Sequence, residues 1–553
     1  MSMREEIKKG WASRRLMFAG ALACIACAAI VLVLAQRPRR ASQPDNVGAK
    51  IITVRRGGDL QSALNQARPG DTIVLDAGAS YTGSFVLPVK ASVTGTDADY
   101  ITIRTSTPDA SLPDSNTRLN PSAHAPLLAR LLSPGRERPA IYTEPGAHHY
   151  RFIGIEFAPA NSSAQVSDLI VFGDGTETQN TLSQVPHHFI IDRCWLHALP
   201  GQELKRGVSL QSGETWVINS WLEGFKSARQ DAQAVCGWNG PGPFHIVNNY
   251  LEASGENVLF GGTDPSISNL IPSDIEIKGN LLTKPLSWKE DEPTYAGQKW
   301  VVKNLIELKN AQRVRVEGNV IENCWRAAQS GTAIVLTPRN QGGAAPWSVV
   351  KDVAITNNVI RHVNNAIGIL AQDDENRSQT LRNVEIVNNL LYDIDQKRWG
   401  AGGQIGGVFV GFNGAGASAI LIKNNTAVNT GSGISMESNV RLQNLVVTDN
   451  IMHYPILADD KGGTEALEVF VAGWKVRRNV IVIDQNHDYW ANLYPPDNFY
   501  PSSFTQAGFV NPAAGDYRLR PNSPYLGRAT DGKAIGYDAA RLGGPVAARA
   551  SGQ

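Results

Sequence analysis

Three charged residues in two neighbouring strand-like segments have the types and the spacing for proton-transfer chemistry. Glu307 and Lys309 stand two residues apart, and Arg339 follows the next such segment. Positions two apart on a strand share one face and lie about 6.6 Å apart. Elimination from a uronate polysaccharide needs a cation at the carboxylate, a base for the C5 proton and an acid for the leaving oxygen. We therefore predict Lys309 as the base, Arg339 as the clamp for the substrate carboxylate, and Glu307 as their acidic partner.

Residues around this trio predict a binding groove and a cation site. Long loops at 237–243, 261–273, 283–302 and 337–349 are rich in Trp and charge, which suits the stacking and hydrogen bonding of sugars. Glu256, Asn257 and Glu307 offer the oxygen ligands that Ca²⁺ prefers, so Ca²⁺ is the predicted cofactor. The predicted substrate contacts are Trp238, Asn257, Trp288, Asn310, Asn340 and Trp347.

Two other interpretations of this region stay open. A glycoside hydrolase needs two carboxyl groups roughly 5–9.5 Å apart, and Asp231, Glu256 and Asp264 are the candidates for it. These acids are also typical turn formers. A non-catalytic carbohydrate-binding or scaffold protein is the third interpretation, in which Lys309 and Glu307 form only a surface ion pair of little energetic worth.

The remaining metal-ligating residue types predict structural roles. His148-His149 and His187-His188 are adjacent pairs, and adjacent residues on a strand face opposite sides. Neither pair chelates through both rings without a bend, so we predict ordinary solvated or hydrogen-bonded histidines. The scattered cysteines, predicted to be small buried core residues, are Cys194, Cys236 and Cys324.

These residues lie within a repeat whose phrase is apolar-x-apolar-x-x-Asn-x-apolar. Its Asn recurs at 249, 280, 319, 358, 389, 425, 450 and 479, at intervals of 25 to 39 residues. Period-two alternation on both sides of a two-residue kink predicts strand, turn, strand, and Asn tolerates the left-handed conformation that such a turn needs. Stacked copies bond amide to amide in a ladder. A further short strand lies between phrases, so the sequence predicts an all-β, single-stranded parallel β-helix.

Both ends of such a stack need covering because they expose strand edges and apolar interior. Residues 59–67 predict a capping helix with Asp59 as N-cap and an apolar stripe that includes Leu60 and Leu64. The turn-rich stretch 516–538 is predicted to close the other end.

The phrase GGDLQSALNQARPGDTIVLDAG, the Asn-ladder coils and the SPYLG and IGYD motifs of the tail resemble the right-handed parallel β-helix proteins of the pectate lyase-like superfamily. The resemblance covers about residues 50–540 and implies a right-handed coil. From GWNGPGPFHIVNNYLEASGENVLFGGTDP to QSGTAIVLTPRNQ the chain is similar to an uncharacterised branch of exported bacterial proteins. The order acid, Lys, then Arg is similar to that of chondroitinase-B-like and alginate lyases, although Asn340 stands where that group often has His. This fold hosts lyases, hydrolases, isomerases and adhesive proteins.

The N-terminus predicts a membrane segment. Residues 16–35 contain no charge and are long enough, at about 1.5 Å per residue, to cross a bilayer core of about 30 Å. We predict a cytoplasmic N-terminus at 1–15, a transmembrane or signal segment at 16–35, a linker at 36–48, the β-helix at 49–540 and a flexible tail at 541–553. The body then lies outside the cytoplasm, on a single-pass anchor or secreted after cleavage.

Charge and composition predict the partners. Residues 1–40 carry eight Lys/Arg and two Asp/Glu, although the whole chain has a net charge of only +1. The body is therefore mildly acidic and gives no electrostatic reason to bind nucleic acid. We predict a monomer whose partners are a polysaccharide and, through its N-terminal helix, the membrane.

Overall fold

The repeated phrase forms two strands that meet at a corner, as the sequence predicts. In the copy at 244–251, strand Gly242–Val247 lies before the corner and strand Tyr250–Ala253 lies after it. Asn248, immediately before the repeated Asn249, takes the left-handed conformation with φ 56°. The left-handed residue is therefore the neighbour of the repeated Asn, which leaves the Asn249 side chain free to point along the stack.

The computed structural model describes residues 49–90, 94–403 and 406–542. The first sheet has 14 strands: Ile51–Val54, Thr72–Leu75, Ile101–Thr105, His148–Ile153, His187–Asp192, Gly213–Ile218, Gly242–Val247, Ser273–Lys278, Ala311–Glu317, Val350–Thr356, Arg382–Val387, Ala415–Lys423, Arg441–Thr448 and Val471–Arg477. The second sheet has 13: Ser80–Thr82, Ala129–Ser133, Ile155–Pro159, Trp195–His197, Trp221–Phe225, Tyr250–Ala253, Leu281–Thr283, Val320–Cys324, Val359–Val363, Leu390–Ile394, Thr426–Asn429, Ile451–His453 and Val480–Val482. The third sheet also has 13: Phe85–Leu87, Ile141–Thr143, Asp168–Phe172, Arg206–Leu210, Gln233–Gly237, Glu256–Phe260, Ile306–Leu308, Thr332–Leu336, Asn365–Leu370, Val410–Asn413, Ile434–Met436, Ile456–Ala458 and Lys461–Gly462.

Strand order in the three sheets gives the architecture. In each sheet the neighbours are strands from successive coils that pair in parallel, except for the last strand of the third sheet, Lys461–Gly462. Strand Glu256–Phe260, for example, lies between Gln233–Gly237 and Ile306–Leu308. Two antiparallel pairs occur near the C-terminal end of the described chain, at Ile456–Ala458 with Lys461–Gly462 and at Phe509–Asn511 with Asp516–Leu519. Three long parallel sheets, each receiving one strand per coil, form a parallel β-helix. The predicted all-β fold is confirmed.

The described chain also contains short helices. The α-helices are Leu60–Gln66, Pro121–His124, Gln396–Trp399, Gly463–Phe470 and His487–Leu493. The 3₁₀-helices are Asp97–Asp99, Asp109–Ser111, Ala125–Leu127, Leu182–Gln184, Leu286–Trp288, Phe504–Ala507, Pro512–Ala514 and Ala539–Arg541. The predicted N-cap is present, since Asp59 Oδ1 accepts from the Ser62 backbone N at 2.9 Å. The buried side of the first helix, including Leu60 and Leu64, joins the main apolar core.

The repeated asparagines form the predicted ladder inside the stack. Asn280 Nδ2 donates to Asn319 Oδ1 at 3.0 Å, and Asn319 Nδ2 donates to Asn358 Oδ1 at 3.0 Å. Each amide also accepts from the backbone N of the Asn one coil earlier, as Asn319 Oδ1 does from Asn280 N at 2.9 Å. The ladder extends through further coils to Asn498. It therefore satisfies polar groups at a buried corner and fixes the register of the coils.

The C-terminal tail packs along the side of the stack, which corrects the prediction that it closes the end. Tyr517, Tyr525 and Ile535 form an apolar cluster with side chains of the second sheet, among them Val320 and Val359. Backbone contacts reach far back along the chain, from Asp538 N to Asn388 Oδ1 at 2.6 Å. The tail covers these apolar side chains on the outer face of the second sheet.

An irregularity at the start of the third-sheet strands decides which residues face outwards. Leu305 and Ile306 are consecutive, yet both belong to the interior core. The backbone N atoms of Asn257 and Val258 both donate to Leu305 O, at 3.0 and 3.1 Å, as in a β-bulge. The simple alternation is therefore shifted by one residue at this corner, so that Glu256 faces outwards.

The predicted segments at 1–15, 16–35 and 36–48 lie outside the described residues, as does the tail from 543 onwards. Within the described ranges, no helix has the length and apolar character needed to cross a membrane.

Candidate functional site

The third sheet carries a groove of about 370 Å³ on its outer face. It brings together three residues that the sequence singles out, Asp231, Trp238 and Lys309. The complete lining is Lys205, Arg206, Gln230, Asp231, Gln233, Cys236, Trp238, Leu259, Gly261, Gly262, Thr263 and Lys309. Three cations therefore share this groove with one tryptophan ring and one carboxylate.

Lys309 and Glu307 lie on one strand face, as predicted. Lys309 Nζ is 3.7 Å from Glu307 Oε1, and the Glu307 side chain is almost fully buried. Asn304 Nδ2 donates to the other carboxylate oxygen of Glu307 at 3.2 Å. The pair is thus more enclosed than an ordinary surface ion pair, and Glu307 anchors the ammonium at the edge of the groove.

Arg339 follows one coil later, but its guanidinium is already engaged. Its backbone N donates to Lys309 O at 2.8 Å, which confirms that the two residues are neighbours along the stack. Its Nη1 donates to Asp373 Oδ1 at 2.7 Å and also to Asp374. Because two carboxylates hold this group, Arg339 is not presented to the groove as the predicted clamp.

A cluster of carboxyl groups lies beside the groove. Lys303 Nζ lies 2.5 Å from Asp231 Oδ2 and 4.0 Å from Glu256 Oε1. Gln233 Nε2 donates to Glu256 Oε2 at 2.8 Å, while Glu256 Oε1 has no hydrogen-bond partner among the described residues. Burial, together with the nearby charges of Glu307 and Asp231, raises the pKa of Glu256 to about 7.

Two cations that the sequence analysis missed face the same groove. Arg206 lies with its guanidinium 5.2 Å from the centre of the Trp238 ring, and its Nε donates to Gln233 Oε1 at 3.1 Å. Lys205 is half-buried, and its Nζ makes no hydrogen bond or ion pair within the described part of the chain. Burial and the neighbouring Arg206 charge lower the pKa of Lys205. Lys205 is thus a lysine with a lowered pKa and no anionic partner among the described residues.

Three predicted asparagine contacts are instead structural. Asn257 faces the interior because of the bulge, where its Nδ2 donates to Leu251 O at 2.7 Å and to Thr283 O at 2.9 Å. Asn310 Nδ2 donates to Leu270 O at 3.2 Å. Asn340 Nδ2 donates to Arg377 O at 3.1 Å and its Oδ1 accepts from Ala345 N at 2.6 Å. All three are buried, and these bonds to backbone groups fix nearby loops.

Two of the three tryptophans that were predicted to contact the substrate do not line the groove. Trp288 is buried in an apolar cluster with Trp300, Trp325 and Trp399, so it packs under a loop and does not line the groove. Trp347 Nε1 donates to Leu270 O at 3.0 Å and does not line the groove either. Of the three predicted rings, Trp238 alone is part of the groove lining.

Asp264, predicted as an alternative hydrolase acid, instead fixes a loop by accepting hydrogen bonds from its backbone. Its Oδ2 accepts from Gly342 N and Ala344 N, both at 2.9 Å. This matches the turn-forming role that the sequence left open for it.

The predicted Ca²⁺ ligands do not assemble into one site. Glu256 and Glu307 belong to the same carboxyl cluster, but Asn257 Oδ1 faces inwards, 3.2 Å from Lys284 Nζ. Lys303 and Lys309 already stand beside the two glutamates. Because Ca²⁺ takes 6–8 oxygen ligands, this set with two adjacent ammonium groups does not fit it.

A larger groove, of about 1030 Å³, lies on the first sheet. Both of its arginines are ion-paired, Arg313 with Asp274 at 2.7 Å and Arg315 with Glu276 at 2.5 Å. Size alone favours this groove, but the unpaired lysine and the carboxyl group with a raised pKa lie on the third sheet. We therefore assign the candidate site to the smaller groove.

No family model and no curated protein matches the chain. Solved structures that are similar include the alginate lyase from Paenibacillus sp. str. FPU-7, at 15% identity and TM-score 0.29 over 82% of this chain and 98% of that one. A mannuronic acid-specific polysaccharide family 6 lyase from human gut microbiota has 12% identity and a TM-score of 0.40, over 82% of this chain and 88% of that one. The surface adhesin PfbA of Streptococcus pneumoniae has 10% identity and a TM-score of 0.38, over 71% of this chain and 86% of that one.

These values are too low to argue for any activity. The strand pairing of the chain itself establishes the architecture, and it agrees with the resemblance found in the sequence. The chain is accordingly a parallel β-helix protein, and the solved structures similar to it include lyases of polysaccharide family 6.

Proposed function

We propose that the third-sheet groove binds an acidic polysaccharide and cleaves it by β-elimination. The observation that carries this proposal is the joint lining by Lys205, Arg206, Lys309 and Trp238. A uronate chain has carboxylates for the cations and apolar CH faces for the indole ring. A neutral or cationic polymer gains nothing from three positive side chains in one groove.

The residue roles differ from those predicted from the sequence. Lys205 is the base, because it has no anionic partner within the described residues and its lowered pKa increases the fraction of free amine at neutral pH. Lys309, held by Glu307, and Arg206 supply positive charge to the substrate carboxylate. Arg339 stabilises the neighbouring loop through Asp373 and Asp374.

The elimination step balances with these groups. Lys205 Nζ takes the C5 proton, and the electrons of that C–H bond form the C4=C5 double bond as the C4–O4 bond breaks. The positive charges of Lys309 and Arg206 stabilise the negative charge that develops on the carboxylate. The leaving O4 receives a proton from the Lys205 ammonium just formed, so no external oxidant or reductant is needed.

A glycoside hydrolase is the second candidate, and the pKa of Glu256 favours it. A carboxyl group with a pKa of about 7 is suited to act as a general acid near neutral pH. Asp231 lies on the other side of Lys303 and would be the second carboxylate. The Glu256 side chain is fully buried, however, so this mechanism also needs the site to open.

The location of the protein belongs to the same proposal. The uncharged run at 16–35 supports export of the right-handed β-helix on an N-terminal anchor, and we propose that the exported chain is monomeric. An extracytoplasmic body is where an extracellular polysaccharide is accessible. Protease treatment of intact cells that express the chain tests this: an accessible body agrees, and a fully protected one contradicts it.

The decisive experiment incubates the purified full chain with a panel of uronate polysaccharides. Ultraviolet absorbance detects the new C4=C5 bond, and a reducing-end assay detects any cleavage. We expect absorbance growth that falls at least a hundredfold in Lys205→Ala and in Lys309→Ala. Lys299→Ala, in an exposed loop, is the control and keeps the native rate.

The other outcomes contradict the proposal in different ways. Reducing ends without absorbance identify a hydrolase. Binding without products on any substrate of the panel identifies a scaffold or adhesive protein. Full lyase activity in Lys205→Ala removes Lys205 as the base but retains the elimination.

A further inference from the structure

Four histidines converge on the first sheet, on a different face of the coil from the candidate groove of the third sheet. His148-His149 begin one strand and His187-His188 begin the next, and His148 pairs in register with His187. Adjacent residues on a strand face opposite sides, so the strand must bend before either pair can bind through both rings. That bend is present, because His149 and His188 take left-handed conformations with φ 59° and 60°.

The bend brings both rings of each pair to one side of the strand. His148 Nδ1 and His149 Nδ1 lie 2.9 Å apart, and His187 Nδ1 and His188 Nδ1 lie 2.6 Å apart. Between the coils, the His149 and His188 rings stack with centroids 4.3 Å apart. One ring nitrogen from each of His149, His187 and His188 lies within 4.8 Å of the other two. Three imidazole nitrogens thus lie close enough together to bind one metal ion.

A carboxylate on the next coil orients one of these donors. Glu214 Oε2 lies 2.9 Å from His188 Nε2. A proton on Nε2 in this bond leaves the lone pair on Nδ1, the nitrogen that faces His187 Nδ1. Ligating histidines in metalloproteins usually donate their other ring N–H to such a carboxylate.

We propose that His149, His187 and His188 bind one divalent transition-metal ion of the Zn²⁺, Co²⁺ or Ni²⁺ class, with His148 beside them and Glu214 as the residue that orients His188. Imidazole nitrogen suits these ions, whereas Ca²⁺ and Mg²⁺ prefer oxygen. His149 is nearly fully buried and the other three rings are half-buried, so the site is enclosed on one side and open to solvent on the other. The ion would cross-link two successive coils of the stack.

The alternative is a set of histidines that only hydrogen-bond to one another. The test uses the full chain without a polyhistidine tag, dialysed against Zn²⁺ and then against buffer, with bound metal measured by elemental mass spectrometry. Titration with Co²⁺ adds a spectroscopic readout, since nitrogen ligands give it visible absorption bands. We expect one equivalent of retained metal and a saturating Co²⁺ spectrum.

Variants locate the ion. His149→Gln and His188→Gln are expected to abolish retention, and Glu214→Gln is expected to weaken affinity about tenfold to a hundredfold. The matched control is His245→Gln, because His245 is on the same sheet and bonds to Glu276, at 3.0 Å. It leaves retention unchanged.

Two results overturn the proposal. The first is a native chain that retains no metal and gives no Co²⁺ spectrum. This result does not depend on the folding of any variant. The second is equal affinity in the native chain and in His149→Gln or His188→Gln when circular dichroism shows these variants to be folded.

Discussion

Asn257 Oδ1 lies 3.2 Å from Lys284 Nζ inside the coil, on the opposite side of the strand from the groove. The Lys284 ammonium is fully buried and also donates to the backbone O atoms of Ala253, Ser254 and Gly255, at 2.8, 3.1 and 2.7 Å. Burial lowers its pKa to about 8. Asn257, which the sequence predicts to bind substrate and cation, is thus one of the oxygen acceptors around a buried lysine.

Replacement of Asn257 by Ala is expected to lower stability and leave polysaccharide binding unchanged. The change removes one acceptor from Lys284 and leaves the buried Leu251 and Thr283 carbonyl oxygens without their donor. We expect a loss of about 2–4 kcal/mol. Urea unfolding measures the stability, and calorimetric titration measures the affinity.

Lys309→Ala is the matched comparison, because it is expected to weaken binding as well as stability, since it leaves the buried Glu307 carboxylate without its cation, whereas Asn257→Ala is expected to affect stability alone. A lower polysaccharide affinity in a fully folded Asn257→Ala variant would contradict the structural role of Asn257.

The Asn ladder gives a second prediction, for stability alone. Asn319→Ala removes the bond to Asn358 Oδ1 and leaves Asn280 N and Ile277 O unpaired in the interior. We expect a loss of about 2–4 kcal/mol in the free energy of unfolding. Asn492→Ala is the control, since its exposed amide makes one bond, to Asp488 O at 2.7 Å, and the expected change is below about 0.5 kcal/mol. Equal losses in the free energy of unfolding for Asn319→Ala and Asn492→Ala would show that the ladder does not stabilise the fold.

The Asn ladder is also the feature of the fold that the sequence predicts most completely. Period-two alternation and a repeated Asn predict strands, corners and amide stacking, because these features depend on local pattern and on repetition. The N-cap at Asp59 is predictable for the same local reason. The C-terminal tail is not, because turn-rich segments carry no periodicity that identifies the face on which they pack.

The site is predicted less well, and one reason is a backbone irregularity. Strict alternation puts Asn257 outwards, but the consecutive inward residues Leu305 and Ile306 shift the alternation and turn Glu256 outwards. Paired apolar residues such as Ala234-Val235 and Ala333-Ile334 begin the neighbouring strands too, and these pairs are the available signal. Partners brought from other coils, such as Asp373 at Arg339, leave no signal in local spacing.

Calcium gives a third prediction. We expect polysaccharide affinity and activity to be the same with added Ca²⁺ and with EGTA, because Lys303 and Lys309 already stand beside the glutamates of the cluster. Calorimetric titration with Ca²⁺ and rate measurements over a range of free Ca²⁺ check this. Activation that saturates with Ca²⁺ and disappears in Glu307→Gln would contradict it.

The raised pKa of Glu256 gives a prediction for the pH dependence of stability. The folded chain holds the Glu256 proton up to about pH 7, whereas the unfolded chain releases it near the ordinary value of 4.5. Between these values the folded state binds more protons, so the contribution of this group to stability is complete at low pH and is lost as the pH rises towards and through 7. Glu256→Gln keeps a neutral side chain throughout and removes that loss. We expect this variant, relative to the native chain, to gain stability between pH 5 and pH 8.

The measurement is urea unfolding of both chains at pH 5 and pH 8, with Glu385→Gln as control. The Glu385 carboxyl group is exposed on the first sheet, so its replacement leaves the difference between the two pH values as in the native chain. Gln233 Nε2 donates to Glu256 Oε2, and the amide oxygen introduced by Glu256→Gln accepts the same bond, so the comparison isolates the charge. A Glu256→Gln variant that follows the native pH dependence in parallel would show that Glu256 ionises in the folded chain at its ordinary pKa, and the same result would remove the observation that favours a hydrolase.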